Sequence, residues 1–282
     1  MTAFKNRKFA CKADSGFTLL EMSIVLAIIG FLTAGVLTGK SLLRQAQINS
    51  AGVDAQRYIT ATQNFKQQYH ALPGDMPNAT SFWGTMSTCP PTYGMTSPGG
   101  TLTCNGDGNS QVYDSPNPPL GTFNINTAEQ FYFWQHLANA NLIQTGFTGI
   151  AGSAGSYDGV IGVNIPAGRL PGIGFGITYM GSWTFGGYWF NANYGHLMVL
   201  GTYKSNNMPF APILTTLEAQ SFDNKYDDGL PATGNIMTFP KAGVFSPYCA
   251  TTNVASTAAY NTAASNANST GLQCSLIIIT GF

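Results

Sequence analysis

The sequence predicts an α+β protein in which a long amino-terminal helix packs on a globular head that carries an antiparallel β-sheet. Three observations predict it. Phe17–Leu37 is a run of 21 residues with a single charge, Glu21. No proline occurs before Pro73, and Ala51, Ala55, Tyr58, Ile59, Thr62, Phe65 and Tyr69 recur at three- and four-residue steps, which is one face of an amphipathic helix whose other face carries Asp54, Gln56, Arg57, Gln63 and Gln67. From residue 150 to 203 the chain alternates glycine with apolar and aromatic residues, the pattern of twisted antiparallel strands.

The apolar run is long enough to cross a bilayer core as a helix. Lys5, Arg7, Lys8 and Lys12 precede it with only Asp14 opposed, so the amino terminus is expected on the cytoplasmic side and the head across the membrane. A cleaved secretory signal fits poorly. Its apolar core spans about 7–15 residues before a small-residue site, and Thr33 and Gly35 supply only a poor one. A plain signal anchor fits the length but leaves Glu21 unexplained. A carboxylate in a membrane helix is costly and points to function, although five residues into the span it could also snorkel to the interface.

Gly16-Phe17-Thr18-Leu19-Leu20-Glu21, with a Lys/Arg-rich leader before it and an unbroken apolar run after it, resembles the processing motif of the type IV pilin-like family, which covers pilins and type II secretion pseudopilins. The motif spans about a tenth of the chain. The resemblance implies a cut after Gly16 by a membrane prepilin peptidase, N-methylation of Phe17, and assembly into a filament in which Glu21 meets the terminal ammonium of a neighbouring subunit. Such a pair in an apolar bundle acts as a register device, because either charge alone is costly there. The implied partners are the peptidase, further pilin-like subunits and the inner-membrane assembly machinery. The implied location is the bacterial inner membrane, then a periplasmic or cell-surface filament. The reading from the residues alone keeps a single-pass anchored binding protein as the alternative.

Thr38 stands where the family often has proline. Gly30, Gly35 and Gly39 could supply flexible points instead, or close packing through Gly35-x-x-x-Gly39. The 16-residue leader does not decide the subclass. Glu21 argues against one tip-type pseudopilin class that lacks it. The head is larger than a minimal one, which points to a minor or specialised subunit. The expected organisation is therefore a leader over 1–16, a membrane or filament-core half-helix over 17–38, an amphipathic half over 39–72, and an extracytoplasmic head over 73–282. Leu72-Pro73-Gly74-Asp75 closes the helix, and Tyr69–Asp75 further resembles a stretch found after the long helix of larger pilin-like proteins.

Charged residues make up only 9% of the chain and the formal net charge is zero. Four of the 12 basic residues and one of the 12 acidic residues precede Phe17, leaving 8 basic and 11 acidic in the remainder. That balance gives no bulk attraction for nucleic acid. Cys89, Cys104, Cys249 and Cys274 are an even set in a domain expected outside the cytoplasm, which suggests two disulfides. Three connectivities are open, and Cys89–Cys104 with Cys249–Cys274 is the expected one. Cys11 lies in the leader.

Residues 76–126 read as a long disulfide-pinned loop. Thr127–Gln130 has capping-box spacing before a helix ending near Gln144. Strands are expected at Gly172–Tyr179, Ser182–Tyr188, His196–Tyr203 and Leu276–Thr280. A second capping box, Thr215–Glu218, opens a short helix to about Phe222.

Two acidic turns are candidate cation sites. Asp223, Asp227 and Asp228 place three carboxylates within six residues, which suits a hard cation such as Ca2+. They belong to a phrase, Asp223-x-Lys225-x-Asp227-Asp228-Gly229, similar to one near the carboxy-terminal part of many pilin-like heads. Helix-end and turn chemistry accounts for the same residues, with Asp228-Gly229 as a tight turn and Lys225 as a local counter-charge. Asn105, Asp107 and Asn109 resemble the start of an EF-hand loop, but Ser110 and Pro116 stand where that loop needs glycine and glutamate. A plain glycine/asparagine turn explains them.

Catalytic motifs are absent, no cofactor is required, and His70, His136 and His196 are too widely spaced to suggest a ligand set. The sequence therefore points away from an enzyme. Trp183, Phe185, Tyr188 and Trp189 suit either core packing or recognition of sugars or partners.

Overall fold

The computed structural model describes residues 16–112, 128–144, 146–183, 189–240, 248–263 and 271–282. Most of the leader, Cys11, Thr127 of the first capping box, Pro116, Phe185, Tyr188 and the side chain of Trp183 lie outside the described residues. The chain divides into two units, Met1–Arg44 and Gln45–Phe282.

Helix α1 runs Leu19–Tyr69, three residues short of the expected end at 72. His70 closes it at φ 54, a left-handed residue after the last turn, and Pro73 follows. Thr38 and the three glycines do not interrupt the helix. In the second unit its inner face is Ile48, Ala51, Gly52, Ala55, Tyr58, Ala61, Thr62 and Phe65, close to the face read from spacing. Asp54, expected on the polar face, is instead buried, with the Arg57 guanidinium 3.9 Å away.

Two glycines are set by close approach. A Cβ at Gly52 would stand 2.7 Å from the Tyr226 ring, whose hydroxyl donates to Asn49 O at 3.1 Å. Gly74, at φ 88, passes so near α3 that a Cβ would stand 2.5 Å from Glu129 O.

The described part of the expected 76–126 loop, up to residue 112, contains a one-turn helix, α2 (Thr80–Trp83), and a bridge between Thr85 and Thr103. Helix α3 (Glu129–Asn139) is buried from Glu129 to Ala138 and ends five residues before the expected Gln144. Asn141, at φ 58, turns the chain away. Tyr58 joins α1 to the rest of the core by edge contacts to Trp134 and Phe175, with ring centroids 5.1 Å apart in both cases.

The sheet has strands β1 (Gly174–Trp183), β2 (Ala192–Gly201), β3 (Ile236–Met237) and β4 (Leu276–Ile279). They lie in the order β1-β2-β4-β3, every pair antiparallel. Ser182 and Trp183 continue β1 past a bulge at Gly181 rather than opening a new strand. β2 is flanked on both edges, and Leu197–Leu200 is an apolar run buried throughout, so burial rather than alternation marks it. The two-residue β3 is too short to show in the sequence. Helix α4 (Thr216–Tyr226) starts on the expected Thr215/Glu218 capping box and runs four residues past Phe222. Cys89 is joined to Cys104 and Cys249 to Cys274, the nearest-neighbour connectivity. Trp189 is core, packed against Tyr194, Phe210 and Phe239.

Candidate functional site: the amino-terminal segment and the acidic turns

The amino-terminal unit is built by helix chemistry and by apolar side chains without an internal core. Gly16, Phe17 and Thr18 precede α1, and every described residue from Gly16 to Leu43 is exposed. Leu19 is 89% and Phe31 81% exposed. An 18-residue window here has a mean hydropathy of 2.2, so by length and composition this helix can cross a membrane.

Glu21 is engaged within its own first turn. Its Oε2 accepts from Thr18 N at 2.8 Å and from Thr18 Oγ1 at 2.9 Å, while Glu21 N donates to Thr18 Oγ1 at 3.2 Å. Thr18 and Glu21 are thus a capping box, with donors at both positions satisfied reciprocally. The spacing Thr18-x-x-Glu21 carried that signal in the sequence. The carboxylate is held at the head of the apolar helix and also faces the positive end of the helix dipole.

Residues 11–37 match the family described as the prokaryotic N-terminal methylation motif. That motif, with a long apolar helix behind it, is typical of type IV pilins and pseudopilins. This chain carries both, and over that stretch it is similar to prepilins. Comparison with curated proteins and with solved structures returns no match.

The first acidic turn is a hydrogen-bonded knot. Asp223, fully buried, accepts from Tyr260 Oη at 2.8 Å and from Gly229 N at 3.2 Å. Asp227 Oδ2 accepts from the backbone N–H groups of Asn235 and Ile236. Asp228 accepts from Leu230 N at 2.9 Å and from Thr233 Oγ1 at 2.6 Å. The turn therefore ties the end of α4 to the start of β3 and to Tyr260. Gly229, at φ 76, makes the tight turn. Lys225 places its Nζ over the Tyr226 ring, 5.1 Å from the centroid. One oxygen from each of the three aspartates lies within 4.8 Å of the others, a hard donor set that could hold a cation of the Ca2+ class. Burial, followed by the neighbouring charges of Asp228 and Asp227, pushes the Asp223 carboxyl up to about 7 against its two hydrogen bonds.

The second turn is arranged differently from the EF-hand-like reading. Asn105 Oδ1 accepts from Thr80 N, 25 residues away at the start of α2, and Asn109 Oδ1 accepts from Gln111 N within a local turn. Asp107 meets Asp75 and Glu129 instead, with carboxylate oxygens within 4.8 Å. Asp75, buried, accepts from Asn109 N and Ser110 N at 2.9 Å each. Glu129, buried, accepts from Asp107 N at 3.0 Å. Burial first, and a hydrogen bond with Asp107, push Asp75 up to about 6. Neither Asp75 nor Glu129 is near Asp107 in sequence, so spacing could not find this group.

The histidines are structural. Gly74 N donates to His136 Nδ1 at 3.0 Å, which leaves Nε2–H facing Thr103 Oγ1 at 3.0 Å. Thr103 Oγ1 in turn donates to Gln135 Oε1 at 2.7 Å. Val112 N donates to His196 Nε2 at 3.1 Å, and Nδ1–H donates to Phe282 O at 2.9 Å. Burial pushes His136 down to about 3 and His196 to about 4, so both are neutral at pH 7. His70 is exposed at the end of α1.

Proposed function

We propose that the chain is a structural filament subunit of the type IV pilus or pseudopilus kind. In this reading it is made as a prepilin, cut after Gly16, methylated on Phe17, and assembled through its amino-terminal helix. The observation that carries the proposal is the pairing of the methylation motif at 11–37 with an apolar helix whose described residues from Gly16 to Leu43 are all exposed. Such a surface is stable only in lipid or against other apolar helices. Its one acidic group, Glu21, stands at its head, held by Thr18. In a filament the carboxylate would meet the freed ammonium of a neighbouring Phe17. Before assembly the chain would sit in the inner membrane with its head in the periplasm.

Mass spectrometry of the amino terminus, comparing whole membranes with material sheared from cells, tests this. The expected peptide starts at Phe17 and is one methyl group heavier than its sequence. Abundance in sheared material assigns a pilus subunit, and retention in the membrane a minor subunit or pseudopilin. Peptides that still carry Met1–Gly16 throughout would sink the filament reading and leave a single-pass anchor.

A further inference from the structure

The two disulfides sit in unlike surroundings. Cys249 and Cys274 are both fully buried. Cys274 exchanges backbone hydrogen bonds with Leu214, two residues before β4 begins, and Asn261 N donates to Cys249 O. A reagent reaches that bridge only when the core opens. The Cys89–Cys104 bridge instead lies in the loop after α2. Cys89 is exposed, as are Ser87, Thr88 and Pro90 around it, whereas Cys104 is 1% exposed. Both cysteines line a pit of about 230 Å3 that opens to solvent, lined also by the exposed Thr85 and Asn105. Among the described residues that line it none is a carboxylate, so nothing there repels an incoming thiolate.

Thiol–disulfide exchange depends on access to the sulfur that is attacked. Of the four bridged cysteines, Cys89 is the exposed one. A thiolate forms a new S–S bond to Cys89 Sγ, and the electron pair of the old bond leaves with Cys104 Sγ, which takes a proton from solvent in the pit. The second thiol of the reagent then displaces Cys89 and closes the reagent's own disulfide. The bridge gains two electrons and two protons, and the dithiol loses them. The surrounding backbone suits both states. Thr88 O stands 3.6 Å from Cys104 Sγ, and Thr103 O stands 3.8 Å from Cys89 Sγ, so each free thiol has an acceptor. The two limbs are also held without the bridge. Met86 N donates to Thr103 O and Thr103 N to Gly84 O, each at 3.0 Å. Gln135 and Asn139 of α3 donate to Leu102 O and Thr101 O.

We propose that the Cys89–Cys104 bridge is a thiol-exchange site of the folded head, opened and re-formed by a protein dithiol that attacks Cys89, while Cys249–Cys274 is a permanent link in the core. Opening it releases the mostly exposed stretch 90–101 at one end and leaves the rest of the head in place. The proposal is independent of whether the chain assembles into a filament.

Thiol trapping on the full chain in detergent micelles tests it. The chain is treated with dithiothreitol or with a reduced thioredoxin-type protein, alkylated without denaturant, and mapped by peptide mass spectrometry. Both reagents are expected to expose Cys89 and Cys104 at least about tenfold faster than Cys249 and Cys274, because the second pair must wait for the core to open. Near-ultraviolet circular dichroism of the singly reduced chain is expected to stay close to that of the parent. With glutathione, a monothiol, the mixed disulfide is expected on Cys89 rather than Cys104. Oxidised glutathione is expected to restore the bridge once the dithiol is removed. Equal rates for the two bridges, reduction only after the head unfolds, or glutathione carried mainly on Cys104 overturns the proposal. Reduction by dithiothreitol alone, with no reaction towards the protein dithiol, overturns it as well, as does a bridge that fails to re-form.

Discussion

The two stretches of α1 face opposite problems. Up to Leu43 its large side chains are exposed, Leu26 and Leu37 each by 69%, and no stripe distinguishes one face from another. From Ile48 onward, residues on one side are buried to a few per cent, while Gln56, Arg57, Gln63 and Gln67 stay exposed. A helix that is apolar all round belongs in lipid or in a bundle, whereas a striped helix belongs on a core. One element thus carries two solvent instructions. The second is answered within this chain, and the first only by something outside it.

Phe65→Ala gives the largest expected effect. Phe65 is fully buried and stacks near Tyr69, Trp83 and His136. Truncation should destabilise the head by about 3–5 kcal/mol, read as a lowered thermal midpoint, while membrane insertion of the same variant stays at the parental level. Loss of insertion would show that the two stretches are not independent.

Glu21 sharpens the comparison from the other side. Glu21→Ala removes both the capping partner and the charge, while Glu21→Gln keeps a capping acceptor and removes only the charge. The cap alone is worth about 0.5–2 kcal/mol. Both variants should insert normally, and both should yield few or no filaments if charge pairing with Phe17 governs assembly. Normal filament yield from Glu21→Gln would reduce the carboxylate to a helix cap.

The smallest effect is in the pH dependence of the head, measured with a chelator present so that the aspartates titrate free of divalent cations. Asp75 and Asp223, at about 6 and about 7, hold protons more tightly folded than unfolded. Through them the head gains stability as pH falls from 7 towards 4. His136 and His196, at about 3 and about 4, hold protons less tightly folded than unfolded. Through them the head loses stability as pH falls from about 6.5 towards those values. The thermal midpoint should therefore vary little between about pH 6.5 and 4, where the slopes oppose. Above that window it should fall slightly as Asp223 ionises, and Asp223→Asn should abolish that fall. A steep rise in midpoint on acidification from pH 6.5 to 4 would mean that the histidine contribution is absent.

Much of the fold was legible because it depends on neighbours in sequence. The apolar run, the inner face of α1, the Thr215/Glu218 cap and the strand at Leu276 need only local spacing. The disulfide pairing followed from short loops, 15 and 25 residues apart, which cost least to close. The Thr18/Glu21 box was equally local, and only its use as a cap went unread. Asp54 was misplaced because helical spacing marks a face without marking how far a covering layer extends.

The sequence by itself determined that this chain has a membrane-length apolar helix with a processing motif at its head, and a striped continuation that demands a core. Tertiary structure alone decided which buried polar groups meet. Asp75 reaches Asn109 across 34 residues, and His196 reaches Val112 across 84. It also decided that Cys89 and Cys104 line an open pit while Cys249 and Cys274 are buried. The reason is physical: caps, stripes and membrane spans are set by periodicity within a few turns, but the partner of a buried polar atom is whatever distant backbone the packed core brings within about 3 Å.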